Sequence, residues 1–132
     1  MKGYFGSIEK LTLENEYFRK VLYTGKYSQL VLMSLKPLEE IGMEVHPDHD
    51  QFFRFEQGVG KVIIDGNEYE ILDGVAVVVP AGAKHNVINI SQTEALKLYT
   101  LYSPAEHKEG TIHQTKEKAM SQEEHFDGIT TE

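Results

Sequence analysis

The sequence predicts an all-β sandwich or barrel, and three observations carry that prediction. From Glu16 onward, short runs of β-branched and aromatic residues alternate with turn residues, and no long helical pattern interrupts them. At 132 residues and 40% hydrophobic content, the chain suits one compact domain, burying roughly two-thirds of its unfolded surface. We therefore read residues 1–132 as a single domain, with a barrel core over about 17–103 and a C-terminal extension over about 104–132.

The expected strands are Tyr17 to Tyr23, Ser28 to Leu35, Gly42 to His46, Gln51 to Glu56, Lys61 to Asp65, Glu68 to Leu72, Val75 to Val79, His85 to Ile90 and Ala95 to Tyr102. Between two of them, Asp65-Gly66-Asn67 supplies the backbone freedom of a tight hairpin, and Leu72-Asp73-Gly74 does so again. After Pro104 the composition turns polar. Glu117 to Met120 and the capping-box pattern Ser121-Gln122-Glu123-Glu124 predict one or two short helical turns, and Gly128 to Glu132 reads as a frayed end. No internal repeat is present, so the sheet must close on itself or be covered by another copy, which predicts a homodimer.

Composition excludes several classes of function. With no cysteine there is no disulfide framework, thiolate metal site or cysteine nucleophile, so a metal must be held by nitrogen and oxygen. A formal charge of −8, with Lys and Arg scattered along the chain, argues against nucleic acid as a partner. Stretches such as Val75 to Pro80 fall far short of the roughly 20 apolar residues of a membrane helix, and Met1 to Lys10 lacks a signal-peptide core. The expectation is a soluble, unexported, cytoplasmic protein.

Residues two apart on a strand share a face, so Glu44 and His46 project together as a two-pronged pair. Across the turn Pro47 to Asp50, Gln51 heads an otherwise apolar row with Phe53 and Phe55. Further on, Gly74, Pro80, Gly82, His85 and Asn89 stand at the spacing G(X)5PXG(X)2H(X)3N, which resembles, residue for residue, the second motif of the cupin superfamily. The first cupin motif, G(X)5HXH(X)3-4E(X)6G, is matched less fully. His46 takes the second histidine, Gln51 the glutamate and Gly58 the closing glycine, while Glu44 stands where the first histidine would be and Leu38 where the leading glycine would be.

The resemblance covers roughly Met33 to Tyr102 and implies a double-stranded β-helix, the jelly-roll barrel of the cupins. Carried over by position, the metal ligands become Glu44, His46, Gln51 and His85. This mixed oxygen and imidazole set suits Ni, Zn, Mn, Fe or Co. With one anionic ligand, the bound ion keeps a net positive charge and favours a small oxygenated molecule: a sugar, a keto acid or a hydroxy acid. Gln51 either ligates directly or hydrogen-bonds a metal-bound water.

Other histidines are expected elsewhere. His49, three residues from His46, faces away on a turn and is placed in solvent near the barrel mouth, while His107, His113 and His125 lie in the polar extension and are expected at the surface unless the extension folds over the barrel and brings one to the site. Small proteins of this kind also look similar to mannose-6-phosphate isomerases. A sugar phosphate needs a cationic clamp, for which Arg54 and Lys84 have the wrong strand parity and Lys97 stays open. The function classes are thus a metal-dependent isomerase, epimerase, lyase or dioxygenase, a non-catalytic small-molecule-binding module, or an oligomeric scaffold.

Overall fold

A computed structural model describes residues 1–132 and builds ten strands and two short helices from them. Helix α1 (Ile8–Glu14) precedes β1 (Arg19–Thr24), β2 (Gln29–Leu35), β3 (Glu44–Val45), β4 (Asp50–Gln57), β5 (Gly60–Ile64), β6 (Asn67–Ile71), β7 (Ala76–Val79), β8 (Lys84–Asn89), β9 (Leu96–Ser103), β10 (Ile112–His113) and α2 (Lys116–Ser121). The strands form a six-stranded sheet in the order β10-β1-β2-β9-β4-β7 and a four-stranded sheet in the order β3-β8-β5-β6, every pairing antiparallel. This is the expected jelly-roll barrel, with each predicted strand in place to within two residues.

Alternation decides which side chains enter the core. Residues directly opposite on antiparallel strands share a face, so the register aligns Leu35 with Leu96, Met33 with Leu98 and Phe55, and Val31 with Thr100 and Phe53. All of these are buried, and Val62 and Val87 answer them from the other sheet. The tight hairpin expected at Asp65-Gly66-Asn67 joins β5 to β6, and it turns on Asp65 and Gly66, both at positive φ. One end of the barrel is closed by this apolar packing. The other opens onto the polar row Gln29, Tyr102 and Gln51.

Three features depart from the sequence expectations. Helix α1, which no hydrophobic periodicity announced, packs across β2, β4 and β9 and is tied there by Lys97, whose Nζ donates to Leu13 O at 2.7 Å and pairs with Glu16 at 3.0 Å. Helix α2 is capped by Thr115, whose hydroxyl accepts from Lys118 N, whereas Ser121 closes the helix rather than opening another. The last residues are not frayed: Thr131 N donates to Thr24 O, Thr24 N to Thr131 Oγ1, and Tyr23 to Glu132, all onto β1.

Candidate metal centre

The register of β3 on β8 sets Glu44 directly opposite His85. Just beyond β3, His46 O accepts from Gly82 N at 2.9 Å, and Asp50 Oδ1 accepts from Ala81 N at 2.8 Å. These bonds strap the Pro80-Ala81-Gly82 turn to the β3–β4 loop and hold His85 against His46, ring centroids 5.4 Å apart. Gly82 sits at φ +88°, a conformation that glycine alone adopts without steric penalty. Glu44, His46 and His85 thereby offer ligand atoms within 4.8 Å of one another, a cluster that can hold a metal ion.

The donor atoms fit that use. His85 is buried, and its Nδ1–H donates to Ala83 O at 3.0 Å, which fixes the tautomer and leaves Nε2 as a lone-pair donor with no partner. Gln51 is also buried. Its amide nitrogen donates to Thr100 Oγ1 at 3.0 Å, and its Oε1 has no partner either. Buried polar atoms are nearly always satisfied, so an orphaned acceptor within the Glu44–His46–His85 cluster fits a cation or a donor, and Gln51 Oε1 is a second buried acceptor left unpaired. His46 Nε2 lies 3.0 Å from Glu44 Oε2, and that hydrogen bond raises the His46 pKa above the ordinary value although burial opposes it.

Glu44 and His46 line a cavity of about 430 Å³, and residues 104–132 supply much of its wall. The extension is not a loose polar tail. Gln29 holds it by donating to His107 O at 2.7 Å and accepting from His107 N at 3.0 Å. His107 and His113 are buried in the wall. Burial first, and the Arg19 charge second, push the His107 pKa down to about 2, so its imidazole is neutral and lies 3.2 Å from the Tyr102 hydroxyl. Tyr102 points inward, edge-on to His46, and burial raises its pKa, whereas Tyr99 packs against Phe52 on the outer face. His49 is not in solvent as expected. It is half-buried, with Nε2 3.0 Å from Glu106 Oε2 and Nδ1 2.8 Å from Pro104 O, because Glu106 from the extension folds back over the turn. The same carboxylate reaches His46 Nδ1 at 3.7 Å and His125 at 3.3 Å.

One cation in the cavity wall escaped the sequence reading. Arg19 lies opposite Met33 in the β1–β2 register and so faces inward, only 8% exposed. Its Nη1 donates to His113 Nδ1 at 3.2 Å, and its Nε has no partner. Burial and then the Arg19 charge lower the His113 pKa, consistent with a neutral imidazole that accepts this bond. The alternation of Arg19, Lys20 and Val21, with Val21 in the core, was the available signal. The three cations weighed from sequence lie elsewhere: Arg54 pairs with Glu56 at 2.9 Å, Lys84 is exposed, and Lys97 holds α1 on the outer face.

The model of the Cupin domain matches residues 31–102. A protein of Acanthamoeba polyphaga mimivirus is 46% identical over 83% of this chain and 70% of its own length, and YrkC of Bacillus subtilis is 44% identical over 93% and 69%; both are described as uncharacterized. A crystal structure from Bacillus halodurans superposes with a TM-score of 0.88 at 40% identity, over 91% of this chain and 95% of that one. The matched segment runs from within β2 to Tyr102 of β9 and contains Glu44, His46, Gln51 and His85, so this chain belongs to the cupin family.

Proposed function

We propose that Glu44, His46, Gln51 and His85 hold one divalent transition metal, and that the chain uses it to bind and transform a small oxygenated molecule in the adjoining cavity. The observation that carries this reading is the buried, unpartnered Nε2 of His85 within the Glu44–His46–His85 cluster, and Gln51 Oε1, a second buried acceptor without a partner, supports it. When bound, the ion supplies Lewis acidity, polarising a carbonyl or carboxyl oxygen. The chain's own groups do the rest. Glu106, a half-buried carboxylate outside the ligand set, stands at the cavity to accept and return a proton, with His46, His49 and His125 around it. Tyr102 presents a hydroxyl that stays protonated, and Ile41, Val45 and Met120 limit the access of water.

This donor set accommodates isomerase, epimerase, lyase or dioxygenase chemistry, including that of the mannose-6-phosphate isomerases. Glu106 favours a proton-transferring enzyme over a non-catalytic binder or a scaffold. We further propose a cytoplasmic homodimer, a reading supported by the open edge strand β7 with its exposed Val78. No helix is long and apolar enough to cross a membrane.

Elemental analysis of protein purified without affinity tag or chelator tests the centre. Wild type should carry close to one ion of Ni, Zn, Mn, Fe or Co per chain, lost in both His46→Ala and His85→Ala. Wild type that is metal-free and stays so after loading overturns the proposal.

A further inference from the structure

A guanidinium removed from water is costly unless a carboxylate neutralises it. Arg19 is more than nine-tenths buried, yet no carboxylate lies within ion-pair distance of it. The one side chain it hydrogen-bonds is the imidazole of His113, and Nε is left without an acceptor. The His113 bond and the Phe18 ring, 5.3 Å from the guanidinium, offset part of that cost without neutralising the charge, whereas an apolar residue of the same length would avoid it. The charge stands in the wall of the cavity that also contains Glu44 and His46.

We propose that Arg19 is the anion-binding subsite of this cavity and that its ligand is a small carboxylic acid, whose carboxylate takes up the unpaired charge of Arg19. The inference deepens the reading of the cavity as a ligand site and names the class of ligand. A planar guanidinium matches a carboxylate in shape and charge. A phosphate fits less well, because it sets up to two charges on one group where a carboxylate carries one, and Glu44, Glu106, Glu123 and Glu124 also line the cavity while Lys116 is the only other lysine or arginine in the lining. These carboxylates do not reach Arg19: Glu44 and Glu106 are engaged with histidines, and Glu123 and Glu124 are exposed at the rim.

The test is calorimetric titration of the full-length, zinc-loaded protein with succinate, its uncharged analogue succinamide, and inorganic phosphate. Wild type should bind succinate and not succinamide. Arg19→Met should lose succinate affinity by about tenfold or more, the loss of a charged hydrogen-bonding partner, with zinc content unchanged and the ligand-free melting temperature equal or higher. Arg19→Lys should recover part of the affinity. Equal succinate binding in wild type and Arg19→Met overturns the proposal, as does a melting temperature several degrees lower in ligand-free Arg19→Met, the mark of a merely structural arginine. Phosphate binding tighter than succinate overturns the carboxylate class, and no binding of succinate to wild type overturns the subsite itself. Repeating the titration on metal-free protein separates this inference from the metal reading: Arg19-dependent binding there sustains the subsite even if the metal centre fails.

Discussion

Strand β8 carries two buried polar side chains on its inner face, four residues apart, and they are treated in opposite ways. Asn89, at the closed end, uses its whole amide: Nδ2 donates to Leu35 O, Lys36 O and Glu94 O at 3.1, 3.0 and 2.9 Å, and Oδ1 accepts from Ser91 N. His85, at the open end, spends one nitrogen on Ala83 O and leaves the other free. Val87 lies between them in the core. The same division runs through the barrel. At the closed end the inward residues Leu35, Leu96, Phe55 and Leu98 are fully buried and apolar, whereas the open end gathers Gln51, Arg19 and His85, all buried and all with an unpaired polar atom. A satisfied buried polar group builds structure, and an unsatisfied one calls for an explanation, which the proposed ligands would supply here.

The comparison predicts its largest effect at Asn89. Replacing it by leucine deletes all four hydrogen bonds that this fully buried side chain makes, to Leu35 O, Lys36 O, Glu94 O and Ser91 N, a destabilisation of about 3 kcal/mol or more. Urea denaturation of the metal-free protein measures it, and a loss under about 1 kcal/mol would mean that the closed end is not knitted together by this side chain.

Acid should act at the open end, because the six histidines of the chain lie in or around the cavity wall. His107 is the one whose effect can be signed most clearly. Folded, it resists protonation down to about 2; unfolded, it takes up a proton near its ordinary 6.5. Its contribution to stability is therefore complete above pH 6.5 and is lost as pH falls through the interval toward 2, by up to about 1.4 kcal/mol per pH unit. His107→Gln keeps a polar group for Tyr102 but cannot titrate. Between pH 7 and pH 5 it should lose about 2 kcal/mol less stability than wild type. Identical pH profiles for the two proteins would show that His107 is not held neutral by burial.

The contrast between the two ends also explains what could be read from the sequence. Strand alternation, the Asp65-Gly66 hairpin and the parity of Glu44 with His46 are local rules that tertiary packing reinforces, and the motif from Gly74 to Asn89 placed both polar groups of β8. Even the missing glycine of the first motif has a structural counterpart, since Leu38 adopts φ +64° and takes the left-handed conformation that a glycine would otherwise supply. The wall built by residues 104–132 was not legible, because its buried members are the small Ala105 and Ala119 and the polar His107, Thr111 and His113, which make no periodic apolar face. Arg19 was hidden for a related reason. A charge on a strand near a sheet edge reads as solvent-facing until the register places it opposite Met33.

The smallest expected effect on the fold belongs to the residue with the largest proposed role. His85→Leu removes the orphaned Nε2 and returns an apolar side chain of similar size to a site beside Phe53, so the losses at Ala83 O and the gain from deleting an unsatisfied buried acceptor offset each other. Metal-free stability should change by less than about 1 kcal/mol, against the several lost when the same leucine is placed at Asn89. The pair of substitutions puts one residue type on one strand, facing one interior, and differs only in whether the polar group it replaces was already in use. If His85→Leu proved as damaging as Asn89→Leu in the absence of metal, His85 would be a structural histidine and the unpaired nitrogen would no longer speak for a ligand.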